Sequence, residues 1–279
     1  MQDQYSIAEL CAALLVTRSG YHAWVARPPG QRAQADAVLL PLITRAHRES
    51  RQTYGSPRIR IWLQEHGQCC GRQRIGKLMR IAGLNSRPRR RFRPLSLTDS
   101  NHDLPVAPNR LRELATPQQR DTVWVADITY VETAEGWLYV AGVLDRCTRR
   151  CVGWAMSDSL ATTLPLAALD MALKQRRPPA GLVHHSDRGV QYASSAYRTR
   201  LAQAGVIPSM SRPGNCYDNA AMESFWSSLK RELVHRCQFA TRAEARAAVF
   251  EWIEIFYNRE RLHSALGYQS PVDFETQLN

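Results

Sequence analysis

Residues 121–144, DTVWVADITYVETAEGWLYVAGVL, decide how the larger part of this chain folds. The run 122–131 is rich in β-branched and aromatic residues and is apolar on both faces, as a central strand covered on both sides must be. A turn at 133–136 leads into a second apolar run, 137–144, and a third, 151–156, follows Arg149 and Arg150. Three such runs in succession predict an antiparallel meander. Asp127 interrupts the first of them. No Lys or Arg stands between Asp121 and Asp145, and a bare carboxylate is costly to bury. Asp127 therefore needs a metal or a distant partner.

Two further acids have the same character. A helix predicted over 162–174 crosses to the run 182–187, LVHHSD, which stops at Arg188 and Gly189. Asp187 thus falls at the C-terminal end of a strand, where sites in α/β sheets collect. Taken alone, an Asp before Gly is more simply a turn residue bonded to its own backbone. Glu223 sits on a helix predicted to begin after Pro213, Gly214 and Asn215. There Met222, Phe225, Trp226, Leu229 and Leu233 form the apolar stripe, while Asn219, Glu223, Ser227 and Lys230 lie within about 40° of one another on the adjacent edge. Lys230, seven residues past Glu223, is about 10 Å further along the axis, in reach of a phosphate. Alone, Glu223 and Lys230 read equally well as solvated charges.

Asp187 and Glu223 are separated by 35 residues. Taken with Asp127, they suit one chemistry. Magnesium prefers oxygen ligands and is commonly held by one or two carboxylates, water and substrate phosphates. Two such ions clamp the attacking and leaving oxygens of an in-line phosphoryl displacement. Strand centre, strand end and helix is how a ribonuclease-H-like sheet brings three sequence-distant carboxylates together. The expected fold is α/β, a ribonuclease-H-like mixed sheet flanked by helices, preceded by an all-α helix-turn-helix DNA-binding region.

Charge separates the two parts. Residues 1–120 carry 20 Lys and Arg against 8 Asp and Glu, residues 121–279 carry 17 against 17, and the net charge of +12 therefore lies wholly in the first part. A surplus confined to one segment attracts a polyanion, nucleic acid before membrane. No apolar run is long enough to span a bilayer and the N-terminus lacks the pattern of a signal peptide, so a cytosolic location is expected. Seven cysteines with no CxxC read as reduced thiols. Cys147 and Cys151 have no common zinc-site spacing.

Within the basic part, apolar spacing over 6–16 predicts a helix, broken at 17–20 before a second over 21–25. Another helix is expected over 35–49. Ser56 as N-cap and Pro57 at the first helical position open one that runs to Glu65, and a turn at 66–71 leads to a helix over 72–82. The last two have a helix-turn-helix layout, with Gln73, Lys77 and Arg80 on the outer face and Arg74 beside them. A three-helix bundle with solvated arginines is the plainer reading of that face. It is outweighed by residues 87–94, RPRRRFRP, where Arg87, Arg89, Arg90, Arg91 and Arg93 form a proline-bounded strip suited to DNA phosphates. Residues 95–120, with three prolines and no sustained apolar period, read as a linker. The expected organisation is a helix-turn-helix-like segment over 1–30, a helical DNA-binding domain with its basic arm over 31–94, the linker, and a catalytic core over 121–279.

Six motifs in order resemble the second-frame (OrfB) transposases of the third insertion-sequence family, within the retroviral-integrase superfamily. They are residues 11–24 (CAALLVTRSGYHAW), 54–58 (YGSPR), 124–130 (WVADITY), 185–192 (HSDRGVQY), 216–230 (CYDNAAMESFWSSLK) and 257–271 (YNRERLHSALGYQSP). Leu262 stands where the family often has proline. The zinc-binding His and Cys pairs of retroviral integrases are absent, so no zinc is expected. The resemblance implies that Asp127, Asp187 and Glu223 are catalytic ligands of two Mg2+ or Mn2+ ions and that Lys230 contacts DNA. It implies double-stranded DNA, both element ends and target, as substrate, and a homo-oligomer on that DNA in the nucleoid. An upstream-frame OrfA protein, as partner or fused by frameshifting, would supply a leucine zipper and terminal-repeat recognition. The segment around Tyr257, Asn258 and His263 is typical of the family, with packing of the last helices as its expected role. The competing readings are a ribonuclease-H-like nuclease that cuts without joining and a DNA-binding regulator. A serine or tyrosine recombinase is disfavoured, because neither Tyr192 nor Tyr217 has the basic cluster such a nucleophile needs.

Overall fold

The computed structural model describes residues 5–86, 102–111, 114–212 and 219–278. The chain divides into two compact units, 1–86 and 87–279.

The first unit is helical. α1 (Ile7–Ala13) opens with a capping box: Glu9 N donates to Ser6 Oγ, and Ser6 N donates to Glu9 Oε2. α2 (Arg18–Ala26) starts earlier than periodicity predicts. Thr17 Oγ1 accepts from Gly20 N at 3.1 Å, so the residues read as a break are the cap and first turn of the helix. α3 (Gln31–Glu49) also begins four residues before the expected start, and it tolerates Pro41 in its interior. α4 (Ser56–Glu65) is capped by Gly55, with Ser56 already inside, and α5 (Arg72–Ile81) follows the turn. Leu39, Ile43, Ile59, Leu63, Ile75 and Leu78 are the buried stripe that packs these last three helices together. Gln73, Lys77 and Arg80 are exposed on α5, as predicted. Arg74 differs. Its Nε lies 2.6 Å from Asp36 Oδ1, so it joins α5 to α3. The arginines of 87–94 lie outside the described residues.

The second unit is built on a five-stranded mixed sheet in the order β3-β2-β1-β4-β5. β1 (Val123–Thr133), β2 (Gly136–Asp145) and β3 (Cys151–Ser157) form the predicted meander, while β4 (Val183–Ser186) and β5 (Ile207–Met210) add in parallel to β1. α6 (Thr163–Arg176) makes the crossover from β3, and α7 (Val190–Ala193) and α8 (Ser195–Gln203) lie between β4 and β5. Trp124, Ala126, Ala141 and Val143 from one face of the sheet form a core with Leu164, Leu169, Tyr197 and Leu201 of these helices. α6 lies close to β3 because residue 153 is glycine: a Cβ there would stand 2.2 Å from the Ala168 carbonyl oxygen.

α9 (Ala220–Glu232) belongs to the other face. α10 (Arg242–Glu251) runs into a π-helical segment, Trp252–Glu260, and α11 (Pro271–Gln277) ends the chain. Asp121 is bound by a cation distant in sequence. Arg176 grips it bidentately and also reaches Glu275, which pairs with Arg150. Residues 102–111, inside the stretch read as linker, bond to the sheet unit: His102 Nε2 lies 2.7 Å from Arg188 O, and Arg110 N donates to Ser209 Oγ at 2.9 Å. The described cysteines are all free thiols. No described helix is long and apolar enough to cross a membrane.

His184 on β4 is buried, with Nε2 3.1 Å from the Tyr197 hydroxyl. Burial, helped by His185 beside it, pushes its pKa down to about 3. The unfolded chain takes up this proton near pH 6.5, whereas the folded chain resists it until about 3. Its contribution is present above about 6.5 and is lost as pH falls toward about 3. We expect His184→Gln to remove part of the acid sensitivity of the sheet unit, seen as a flatter melting temperature between pH 7 and 3.5.

Candidate active site

β1 and β4 run in parallel with Val123 opposite Val183 and Val125 opposite His185. Two residues past that register stand Asp127, still within β1, and Asp187, just after β4 has ended at Ser186. Neighbouring strands are about 4.8 Å apart, and Asp187 follows β4 closely enough for its charge to act on Asp127. Asp187 Oδ1 also accepts from Gly189 N at 2.9 Å. The turn role expected of an isolated Asp before Gly is real.

Glu223 lies in the first turn of α9, exposed to solvent. Asn219, the residue before α9, donates from Nδ2 to the Ala126 carbonyl at 3.1 Å. That bond holds the start of the helix against β1 one residue before Asp127. Further along, Trp226 and Met222 pack where Gly142 has no side chain. Gly142 is the cross-strand partner of Asp127, and a Cβ there would stand 3.0 Å from the Trp226 ring. A glycine in the middle of an apolar strand often marks such an approach, though not what makes it. Gly142→Ala should push α9 away from the sheet by a few tenths of an ångström, costing about 1–3 kcal/mol of stability. A lowered melting temperature together with slower DNA cleavage checks this.

Electrostatics unite the three acids. Burial, first, and then the charges of Asp187 and Glu223 push Asp127 up to about 8, against the hydrogen bond from Ile128 N that favours its charged form. Desolvation raises Glu223 as well. Lys230 is half-buried with Nζ 4.3 Å from the centre of the Tyr130 ring; burial lowers its pKa, while Asp127 opposes that shift.

Among the described residues no three His, Cys, Asp or Glu side chains already stand close enough to grip a metal. Residues 213–218, which lead into α9, lie outside those described. The donor set nevertheless fits a hard divalent cation, because Asp127, Asp187 and Glu223 offer carboxylate oxygen. Asn219 Oδ1 and the Tyr192 hydroxyl are buried without hydrogen-bond partners among the described residues. Tyr192 feels the charges of both Asp127 and Asp187. Polar groups left over around crowded like charges suit a site that takes up ions and water.

The predicted DNA-contacting residues do not behave alike. Gln73, Lys77 and Arg80 face solvent, Arg74 is held by Asp36, and Lys230 stands on the helix that carries Glu223. The C-terminal motif has a definite structural role. Asn258 pairs with both the N–H and the carbonyl of Cys151 at 3.0 Å, taking the place of a neighbouring strand at the free edge of β3. Tyr257 packs edge-on against Phe225 and His263, and Arg261 makes a bidentate pair with Glu232. All of these contacts brace α9 or the sheet beside it.

A meander extended by two parallel strands, with carboxylates at a strand centre, a strand end and a facing helix, defines a ribonuclease-H-like enzyme of the integrase-core class. Residues 117–216 and 204–271 match integrase core domain families, and 33–92 match an HTH-like domain. The chain is 48% identical over 270 residues to the "Insertion element IS600 uncharacterized 31 kDa protein" of Shigella sonnei, covering 97% of this chain and 98% of that one. It is 39% identical over 282 residues to "Transposase InsF for insertion sequence IS3A" of Escherichia coli (strain K12), covering 99% and 96%. The chain belongs to the family of IS3 insertion-sequence transposases. A chain of the simian T-cell lymphotropic virus intasome aligns with a TM-score of 0.49 at 14% identity, over 82% of this chain and 73% of that one. Membership of the family rests on the sequence relatives.

Proposed function

We propose that this transposase cuts and joins DNA with Asp127, Asp187 and Glu223 as its catalytic carboxylates, holding two Mg2+ or Mn2+ ions. The observation that carries the reading is that Asp127 feels the charges of both Asp187, which follows the end of β4 beside β1, and Glu223 on α9. When bound, such ions supply Lewis-acid activation of the attacking oxygen and charge stabilisation at phosphorus. Asp127 is carried by β1, Asp187 by the turn that follows β4, and Glu223 by α9. Lys230, two turns further along that helix, holds a DNA phosphate. Gln73, Lys77, Arg80 and the arginine strip also hold DNA, while Arg74 pairs with Asp36.

In the first step a water oxygen attacks phosphorus at the element end and gives up a proton to solvent, the P–O3′ bond breaks, and the departing oxygen takes up a proton, leaving a 3′-hydroxyl on the element and a 5′-phosphate on the flank. That hydroxyl then attacks a target phosphodiester, its proton leaves to solvent, and the target's own 3′-oxygen departs. No covalent link to the protein is required. Handling two ends and a target calls for more than one copy on DNA, and by family resemblance an OrfA protein from the upstream frame takes part. The expected location is the cytoplasm, at the nucleoid.

The test uses labelled element ends in Mg2+, with and without the OrfA protein. Cleavage at the 3′ end followed by joining is expected. Cleavage without joining of pre-cut ends would make this a simple nuclease, and binding with neither would make it a regulator.

A further inference from the structure

The start of α9 is held in an unusual way. Asn219 occupies the position before the first helical turn, where Asn ordinarily bonds its side chain to the helix's own N–H groups. It makes no such bond here. Its Nδ2 instead donates to Ala126 O on β1 at 3.1 Å, and its Oδ1 is buried without a hydrogen-bond partner among the described residues. The side chain gives up helix capping for a bond to the sheet across 93 residues of sequence.

That bond has a specific target. Ala126 directly precedes Asp127, and Glu223 is four residues after Asn219, about one helical turn along. At its other end α9 is held by the Arg261–Glu232 pair, and in its middle by Trp226 and Met222 over Gly142. The middle and far contacts set how closely the helix lies on the sheet. Asn219 is the bond that sets its first turn, the turn bearing Glu223.

We infer that Asn219 is a positioning residue for the reaction: its amide ties the first turn of α9 to the β1 backbone beside Asp127 and so places Glu223 opposite the two aspartates. This rests on Glu223 acting with Asp127 and Asp187 as proposed above. Displacing a catalytic group by about 1 Å can lower a rate by about 100-fold.

The test uses the full chain and four measurements: cleavage rate of bound element-end DNA, DNA affinity, Mn2+ affinity by calorimetry, and melting temperature. Asn219→Ser keeps a good capping residue but is too short to reach Ala126. Asn219→Gln keeps the amide donor on a longer stem. We expect Asn219→Ser to cleave about 10- to 100-fold more slowly and to bind Mn2+ several-fold more weakly, at unchanged DNA affinity and melting temperature. Asn219→Gln should fall between it and the parent protein. Parental cleavage and Mn2+ affinity in both variants would overturn the inference, as would losses that merely track a lower melting temperature. Glu223→Gln separates the two levels of argument. If it is inactive while Asn219→Ser is fully active, only the role of Asn219 fails; if Glu223→Gln is itself active, the reading of the site fails.

Discussion

Asp127→Asn is expected to lower strand cleavage and joining by about 10³-fold or more while leaving DNA affinity essentially unchanged. A carboxylate that holds a catalytic cation supports several kcal/mol of transition-state stabilisation, and each 1.36 kcal/mol is about tenfold in rate. The neutral amide has the same shape and keeps an oxygen acceptor, so β1 should be undisturbed. Stability supplies an independent check. Asp127 is raised from an ordinary 3.8 to about 8, so its proton is held more tightly in the folded protein than in the unfolded chain. Its contribution is fully present below about 3.8 and is lost as pH rises toward about 8. In a chelator, the parent protein should lose melting temperature across that window, and Asp127→Asn should lose less. Added Mn2+ should stabilise the parent by mass action and the variant far less. Normal cleavage by Asp127→Asn would remove this residue from the chemistry.

The second large effect concerns DNA affinity. Each phosphate contact to duplex DNA contributes about 0.9 to the slope of log affinity against log salt. Five arginines in contact would contribute about 4 to 5, which amounts to roughly 10²- to 10³-fold between 50 and 200 mM salt. Replacing Arg87, Arg89, Arg90, Arg91 and Arg93 together by Ala should make the salt dependence shallower by about that amount. The melting of the sheet unit should not change. An affinity independent of salt in the parent protein would refute the assignment. Arg74→Ala offers the contrast. Its guanidinium is committed to Asp36, so its loss should loosen the α3–α5 contact and leave the salt slope nearly intact.

These two predictions draw on different kinds of information. The arginine strip is a matter of composition, legible because proline-bounded charge has no place in a core. Asp127 was legible because the apolar run around it has no basic residue nearby. Asp187 and Glu223 were each open to an ordinary explanation, and for Asp187 the turn bond that explanation expects is present, since its carboxylate accepts from Gly189 N. Helix beginnings were less legible. Thr17 capping α2 and Gly55 preceding α4 show that a cap depends on local backbone geometry, which residue type only biases.

By itself the sequence determined the antiparallel meander, the helix-turn-helix layout, the confinement of positive charge to the first 120 residues and the three acids, since each is written in local periodicity or composition. Tertiary structure alone decided the partners. Arg74 meets Asp36, Arg176 meets Asp121, Asn258 completes the edge of β3, Gly142 admits Trp226 and Asn219 reaches the carbonyl beside Asp127. Periodicity reports which side of an element is buried and is silent about what lies across from it. A single hydrogen bond between residues about a hundred positions apart leaves no repeat to detect, because its partners come together only when the sheet and helices have packed.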